Sequence, residues 1–356
     1  MAPTTLASLT TLRLGGPADR VLVLSDPTDW PDIVRAVHEQ GERAPVVLGH
    51  GSNVIASDAG YPGTVVVVNT RGIAAERAAD STVAVTVQAG HPLTDLVSWA
   101  AAEHLAGIEC LAGIPGTTGA APVQNTGAYG QQLADTLDYV TAWDWQTNRL
   151  LTLPAHTCRL GYRHSRFKVE IGRWTVLSVT LHLTRTSQAA PVTYQHLAAE
   201  LGVPIGACPT VSEVTAAVLT NRHRRGLLLN PHNPEARQVG SVFLNPRVTP
   251  VQAHRWSAAG CPAHRDTDGQ LRASAGWMLE HAGFRPGDTV VAGVRCSAYR
   301  SLTLVADHGA TAAGFTKALL RLTGRVAAST GITLRPEPTA IGLCKQPSEW
   351  CPDSGT

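Results

Sequence analysis

Lysine is almost missing from this 356-residue chain, which has it only at Lys168, Lys317 and Lys345. Arginine carries the remaining positive charge, and the formal net charge is only +2. So small an excess makes little long-range field, which argues against nucleic acid and acidic membrane surfaces as partners. The seven cysteines are odd in number and include no C-x-x-C pair. That excludes a zinc ribbon and a dithiol redox motif and leaves free thiols as the expectation. No segment approaches the roughly 20 apolar residues needed to span a bilayer. Residues 1–11 lack a basic region followed by an apolar stretch, so no secretory signal is expected and the cytoplasm is the expected compartment. The histidines show no H-E-x-x-H or comparable spacing, and no catalytic metal is expected. What the chain does have is apolar content: 44% hydrophobic against 16% charged residues excludes wholesale disorder and, at this length, predicts a multidomain globular protein.

The N-terminal part reads as an α/β unit. A short apolar run at 20–24 precedes a segment with Ile33, Val34, Ala36 and Val37 on one helical face, and the run at 45–48 reads as a strand. β-Branched runs at 64–68 and 82–87 continue the sheet, and 93–105 reads as a helix stopped near Gly107. Alternating runs at 137–143, 150–153 and 174–183 predict a mostly antiparallel region. Further on, 211–225 and 275–282 read as helices, 301–305 as a strand and 311–329 as a longer helix. There is no internal repeat.

Two glycine-rich segments stand out. Gly49-His50-Gly51-Ser52-Asn53 follows a predicted strand. Its glycines would let backbone N–H groups approach a phosphate, with the serine hydroxyl and asparagine amide as added donors. The same motif is also compatible with a plain tight turn. Residues 111–130 are too rich in glycine and proline for helix or strand, so they form either an ordered loop or a disordered one. Ile114, Pro115, Val123 and Tyr129, interleaved among the glycines, read as buried anchors, whereas a flexible linker would be polar. Small residues there would let a flat ring system lie against backbone. A structural omega-type loop is the alternative.

Read in order, Arg13-Leu14-Gly15-Gly16-Pro17-Ala18, the 49–53 motif and Ala112-Gly113-Ile114-Pro115-Gly116-Thr117-Thr118-Gly119 through Gln124-Asn125-Thr126-Gly127-Ala128-Tyr129-Gly130 resemble signatures of the UDP-N-acetylenolpyruvoylglucosamine reductase (MurB) family. Residues 158–168, Gly240-Ser241-Val242-Phe243-Leu244-Asn245-Pro246, Ala275-Gly276-Trp277 and Arg335-Pro336-Glu337-Pro338 extend the resemblance over roughly residues 10–343.

This resemblance implies an α+β fold: an FAD-binding domain of the vanillyl-alcohol-oxidase (PCMH) type in two subdomains, plus a smaller α/β substrate-binding domain. The expected division is 1–72 with 333–356 returning to it, then 73–215, then 216–332. It also implies noncovalent FAD, NADPH as electron donor and a nucleotide-sugar substrate. Cofactor contacts are implied for Gly49, His50, Gly51, Ser52, Asn53, Gly113, Ile114, Pro115, Gly116, Thr117, Gly119, Ala120, Asn125, Gly127 and Ala128. Hydride addition to an electron-rich enol ether requires charge to build on the attached carboxylate, so a fixed cation is needed beside it. Arg163 matches that position, Glu337 a second polarising group, and Ser241 the proton donor to the adjacent carbon. Tyr129, Tyr162, Tyr194, Arg225 and Asn245 match positions near the substrate.

The chain departs from the common pattern at three places. Arg225 stands where a lysine is common, Arg335 replaces an acid, and Tyr299-Arg300 replaces a frequent lysine and histidine. These changes leave room for a flavoenzyme paralogue acting on another enol ether or nucleotide sugar. A catalytically silent binding protein is a more distant alternative, disfavoured by the intact Arg163, Ser241 and Glu337. A monomer is expected.

Overall fold

The computed structural model describes residues 4–79, 81–230, 232–266 and 268–343. These fall into two compact units, one drawn from Met1–Asp19, Gly51–Pro62 and Leu229–Thr356, the other from Arg20–His50 and Gly63–Leu228. Part of the segment expected to return to the first subdomain, 344–356, lies outside the described residues.

The second unit is built on an antiparallel sheet whose order is Arg149–Pro154, Leu137–Asp144, Trp174–Arg185, Thr82–Gln88, Ile73–Ala79. Alternation decides which face is buried. Val83, Val85 and Val87 of one strand point inward, and Val87 lies opposite Val179 of the next. Burying such a side chain stabilises by about 1.5–3 kcal/mol. Helix Leu93–Ala102 packs its Leu93, Leu96, Val97 and Ala100 inward, the i, i+3, i+4, i+7 spacing of a core-facing helix. It ends earlier than the apolar run suggested. His104 adopts a positive φ of 53°, and Leu105–Ala106 turns into a short strand paired with Thr184 and Arg185. Ile73–Ala79 forms the sheet edge although its alanines, glutamate and arginine carry little strand preference.

The 111–130 segment is an ordered loop, because the end of the sheet holds it. The Gly119 N–H donates to the Ala89 carbonyl at 2.8 Å, Thr118 N–H to the His91 carbonyl at 2.8 Å, and Leu93 N–H to the Gly116 carbonyl at 3.1 Å. A 3-10 helix, Thr118–Val123, follows. Closeness explains the glycine at 119, where an added Cβ would lie 2.4 Å from Ala89 Cβ and 2.9 Å from its Cα. Gly119→Ala is therefore expected to push the loop off the sheet and destabilise the protein by about 1–3 kcal/mol. Urea unfolding would check this, and an unchanged midpoint would contradict the packing described.

The first unit centres on helix Ala312–Thr330. Its Phe315, Leu319, Leu322 and Val326 are buried against helix Ala275–His281 and an antiparallel trio of strands, Thr289–Val291, Val294–Cys296 and Leu304–Ala306. The long helix is capped twice. Thr311 accepts from Gly314 N–H, and the Asp58 carboxylate accepts from the N–H groups of Ala312 and Ala313 at 2.8 and 2.9 Å. Val54–Ala56 and Thr339–Ile341 form a parallel pair in this unit.

No described helix is long and apolar enough to cross a membrane. The cysteines at 110, 158, 261 and 296 are buried free thiols and Cys208 is an exposed one. Burial, with a nearby carboxylate adding to it, pushes the Cys110 and Cys296 thiols up to about 12. Cys344 and Cys351 lie outside the described residues.

Candidate functional site

In the second unit Gly49, which opens the first glycine segment, lies against the second segment. An added Cβ on Gly49 would fall 2.2 Å from Thr117 Oγ1, so only glycine lets the first segment lie so close to the second. Thr117 itself is buried. Beside them His50 and His91 share two charged neighbours, Arg71 and Asp95. Burial holds both imidazoles below their usual range, Arg71 adding to the effect and Asp95 opposing it. The Nε2 of His91 is buried with no hydrogen-bond partner among the described residues, while its Nδ1 accepts from Gly72 N–H at 3.4 Å.

Further along the loop, Asn125 adopts a φ of 47° and its amide is engaged by both backbone and a side chain. Nδ2 donates to Gln132 Oε1 and to the Gly161 carbonyl, and Oδ1 accepts from Ala134 N–H. Arg163 also has a positive φ, 50°. Its guanidinium donates to the carbonyls of Gly127 at 2.7 Å and Asn125 at 3.3 Å and lies 5.5 Å from the Tyr162 ring centroid. The cation is thus anchored to the second glycine segment. Tyr129 donates to Asn221 Oδ1 at 2.9 Å and meets Tyr194 edge-on at 5.7 Å. Arg163 and Tyr129, Tyr162 and Tyr194 accordingly share one region of this unit.

Arg222 is a residue that sequence reasoning passed over in favour of Arg225. It continues the buried stripe of Val211, Thr215 and Val218 on helix Val211–Arg224, a position the 3.6-residue period could have marked. Its Nε is buried without a hydrogen-bond partner among the described residues and lies 3.3 Å from where a Cβ on Gly113 would sit. Burial pushes this guanidinium down to about 10, with Tyr129 opposing and Arg225 adding to the shift. Arg225 by contrast is exposed.

In the first unit Ser241 and Glu337 are brought onto adjacent stretches of extended backbone. Phe243 bridges Pro336, Glu337 N–H donates to the Val242 carbonyl at 2.9 Å, and Leu244 N–H donates to the Arg335 carbonyl at 3.0 Å. On the other flank Ser241 bridges Thr303, and Val242 N–H donates to the Leu302 carbonyl at 3.0 Å. Ser241 Oγ accepts a hydrogen bond from Arg300 Nη2 at 3.3 Å. Nearby, Asn245 Oδ1 accepts from Ala275 N–H and so caps helix Ala275–His281. Within the same unit Gly51 packs against Leu9 and Thr10, and the Asn53 carbonyl accepts from Thr339 N–H.

FAD, the group the resemblance implies, suits what the second unit offers. Glycines that admit close backbone approach at 49 and 119 stand with an arginine whose buried Nε–H has no acceptor among the described residues, a donor set matched to a flat ring and a diphosphate. Comparison with known proteins agrees. The FAD binding domain model matches residues 18–153, which makes this a flavin-binding protein. The model described as UDP-N-acetylenolpyruvoylglucosamine reductase, C-terminal domain, matches residues 232–341. The chain is 39% identical over 347 residues to the UDP-N-acetylenolpyruvoylglucosamine reductase of Salinispora arenicola (strain CNS-205), covering 94% of each chain. It is 39% identical over 339 residues to that of Cutibacterium acnes (strain DSM 16379 / KPA171202), covering 95% of this chain and 89% of the relative. The chain belongs to the UDP-N-acetylenolpyruvoylglucosamine reductase family. The crystal structure of the MurB enzyme from Thermus caldophilus shares its fold, with a TM-score of 0.62 at 23% identity, covering 95% of this chain and 97% of that one. The α+β class expected from the sequence, an FAD-binding domain joined to the family's C-terminal domain, is borne out.

Proposed function

We propose that this protein reduces UDP-N-acetylglucosamine enolpyruvate to UDP-N-acetylmuramate, with noncovalent FAD and with NADPH as donor, in the cytoplasm and as a monomer. The observation that carries the reading is near full-length identity to reductases of that name in a chain that keeps Arg163, Ser241 and Glu337. When bound, FAD would supply the redox chemistry, an electron pair from the nicotinamide passed on as a hydride to the methylene carbon of the enol ether.

The chain's own residues do the rest. Arg163 offers a planar fork of donors to the substrate carboxylate, so negative charge can build there. Glu337 acts as the second polarising group, as a hydrogen-bonding acid or through bound water. Ser241 delivers the proton to the neighbouring carbon. Tyr129, Tyr162, Tyr194, Arg225 and Asn245 are assigned to substrate binding. The division 1–72 with 333–356, 73–215 and 216–332 is offered as a functional partition into two cofactor subdomains and a substrate domain.

For the cofactor, residues 49–53 and the 113–128 loop provide backbone donors, and Arg222 provides the buried cation for the diphosphate. Arg222→Gln is expected to weaken FAD binding about tenfold to 100-fold, the worth of a charge-assisted hydrogen bond. It should leave the flavin-free protein about as stable, since the buried Nε it removes has no hydrogen-bond partner to lose among the described residues. Flavin fluorescence titration of deflavinated protein checks the first statement and thermal unfolding the second. An affinity within twofold of wild type would remove Arg222 from the site.

The function itself is tested by NADPH consumption with the authentic enolpyruvyl substrate. Turnover at the background rate would sink it. The substitutions at Arg225, Arg335 and Tyr299-Arg300 leave room for a second reading, a paralogue acting on another enol ether or nucleotide sugar, which faster turnover of such a compound would establish.

A further inference from the structure

We infer that Arg300 is a positioning residue that acts through Ser241, aiming its hydroxyl proton and holding the charge left when that proton departs. The inference rests on the reading above, in which Ser241 is the proton donor.

A guanidinium has donors and no acceptor. When Arg300 Nη2 donates to Ser241 Oγ at 3.3 Å, the serine hydrogen cannot point back at the arginine and must be directed elsewhere. The hydroxyl is thereby held as a donor. During the reaction the Ser241 O–H bond breaks and a C–H bond forms at the carbon bearing the carboxylate, using the electron pair stored in the aci-carboxylate after hydride addition. The negative charge then sits on Ser241 Oγ, facing the Arg300 cation, until water returns a proton. A fixed cation at an atom where charge develops lowers the barrier without reorganisation at the moment of reaction.

The turn that carries Arg300 is held from several sides. Ala298 N–H donates to Glu235 Oε2 at 3.2 Å, and Tyr299 N–H donates to Ser297 Oγ at 3.2 Å. Glu235 is buried and is itself engaged by Arg295 Nη1 at 2.7 Å. Ser241 is fixed from its own backbone by the bridge to Thr303. Donor and acceptor are thus set by two supported segments.

The test is a double-mutant cycle with Arg300→Gln and Ser241→Ala, read in rapid-mixing traces of each half-reaction. Arg300→Gln alone is expected to slow flavin reoxidation by the enol ether about tenfold to 100-fold. Reduction by NADPH and the substrate dissociation constant, measured by flavin absorbance on the oxidised enzyme, should stay within about twofold, and the solvent deuterium isotope effect on reoxidation should rise. In the Ser241→Ala background the same change should cost nothing further. Arg300→Lys, which keeps the charge, should recover part of the rate and guards against misfolding as the cause. The inference is overturned if Arg300→Gln reoxidises at the wild-type rate, if its cost is undiminished without the serine hydroxyl, or if the loss lies entirely in substrate affinity. If Ser241→Ala itself reoxidises normally, the donor assignment falls and the inference with it. A slow Ser241→Ala beside a normal Arg300→Gln overturns the inference alone.

Discussion

Replacing Ser241 with alanine is expected to leave flavin reduction by NADPH near its wild-type rate while slowing reoxidation by the enol ether about 100-fold to 10,000-fold, the usual contribution of a positioned general acid. The asymmetry is the informative part. A serine that only supported the chain would act through the backbone neighbours of Ser241, the 302–303 and 335–337 stretches, and would disturb folding or both half-reactions together. Equal slowing of the two half-reactions would make the assigned role wrong.

The second large effect is expected at Arg163. Arg163→Lys retains a positive charge but loses the planar fork, and the reoxidation step should fall on the order of 100-fold or more. The structure adds a control, because the same guanidinium anchors the carbonyls of Asn125 and Gly127. A residue with only that anchoring role would change flavin affinity and both half-reactions, whereas the proposed role confines the loss to the step that develops charge on the substrate carboxylate. Glu337→Gln keeps the shape and the backbone bond to Val242 but removes the acid, so it should impair the same step with flavin binding preserved. An exposed carboxylate with no role would shift stability by about 1 kcal/mol or less and leave turnover alone. Wild-type reoxidation in both variants would refute the site.

Where the sequence misled, local preference was overridden or a signal went unread. Ile73–Ala79 has helix-favouring residues and is a strand because it pairs antiparallel with Thr82–Gln88. Helix Pro250–Ser257 went unread although Thr249 and Gln252 form a capping box with Pro250 at the first position, a signal the sequence carried in full. Arg222 and Arg225 look interchangeable in a run of basic residues, and only packing distinguishes the arginine with a buried Nε from the exposed one.

The sequence by itself determined the family, through ordered glycine, serine and glutamate motifs, and most of the sheet and helices, because period-2 and period-3.6 burial is written locally. Tertiary structure decided what depends on contacts between distant residues. Glycine at 119 and at 49 is required by backbone or side chains far away in sequence, at Ala89 and Thr117. The compact unit that gathers residues 51–62 with the stretch after 229 is a non-local assembly that no window of sequence displays. The hydrogen bond from Arg300 to Ser241 belongs to the same class: Glu235, buried and held by Arg295, supports the turn at 298–300 beside Ser241, and a hydrogen bond depends on distance and direction, which the order of residues alone does not specify.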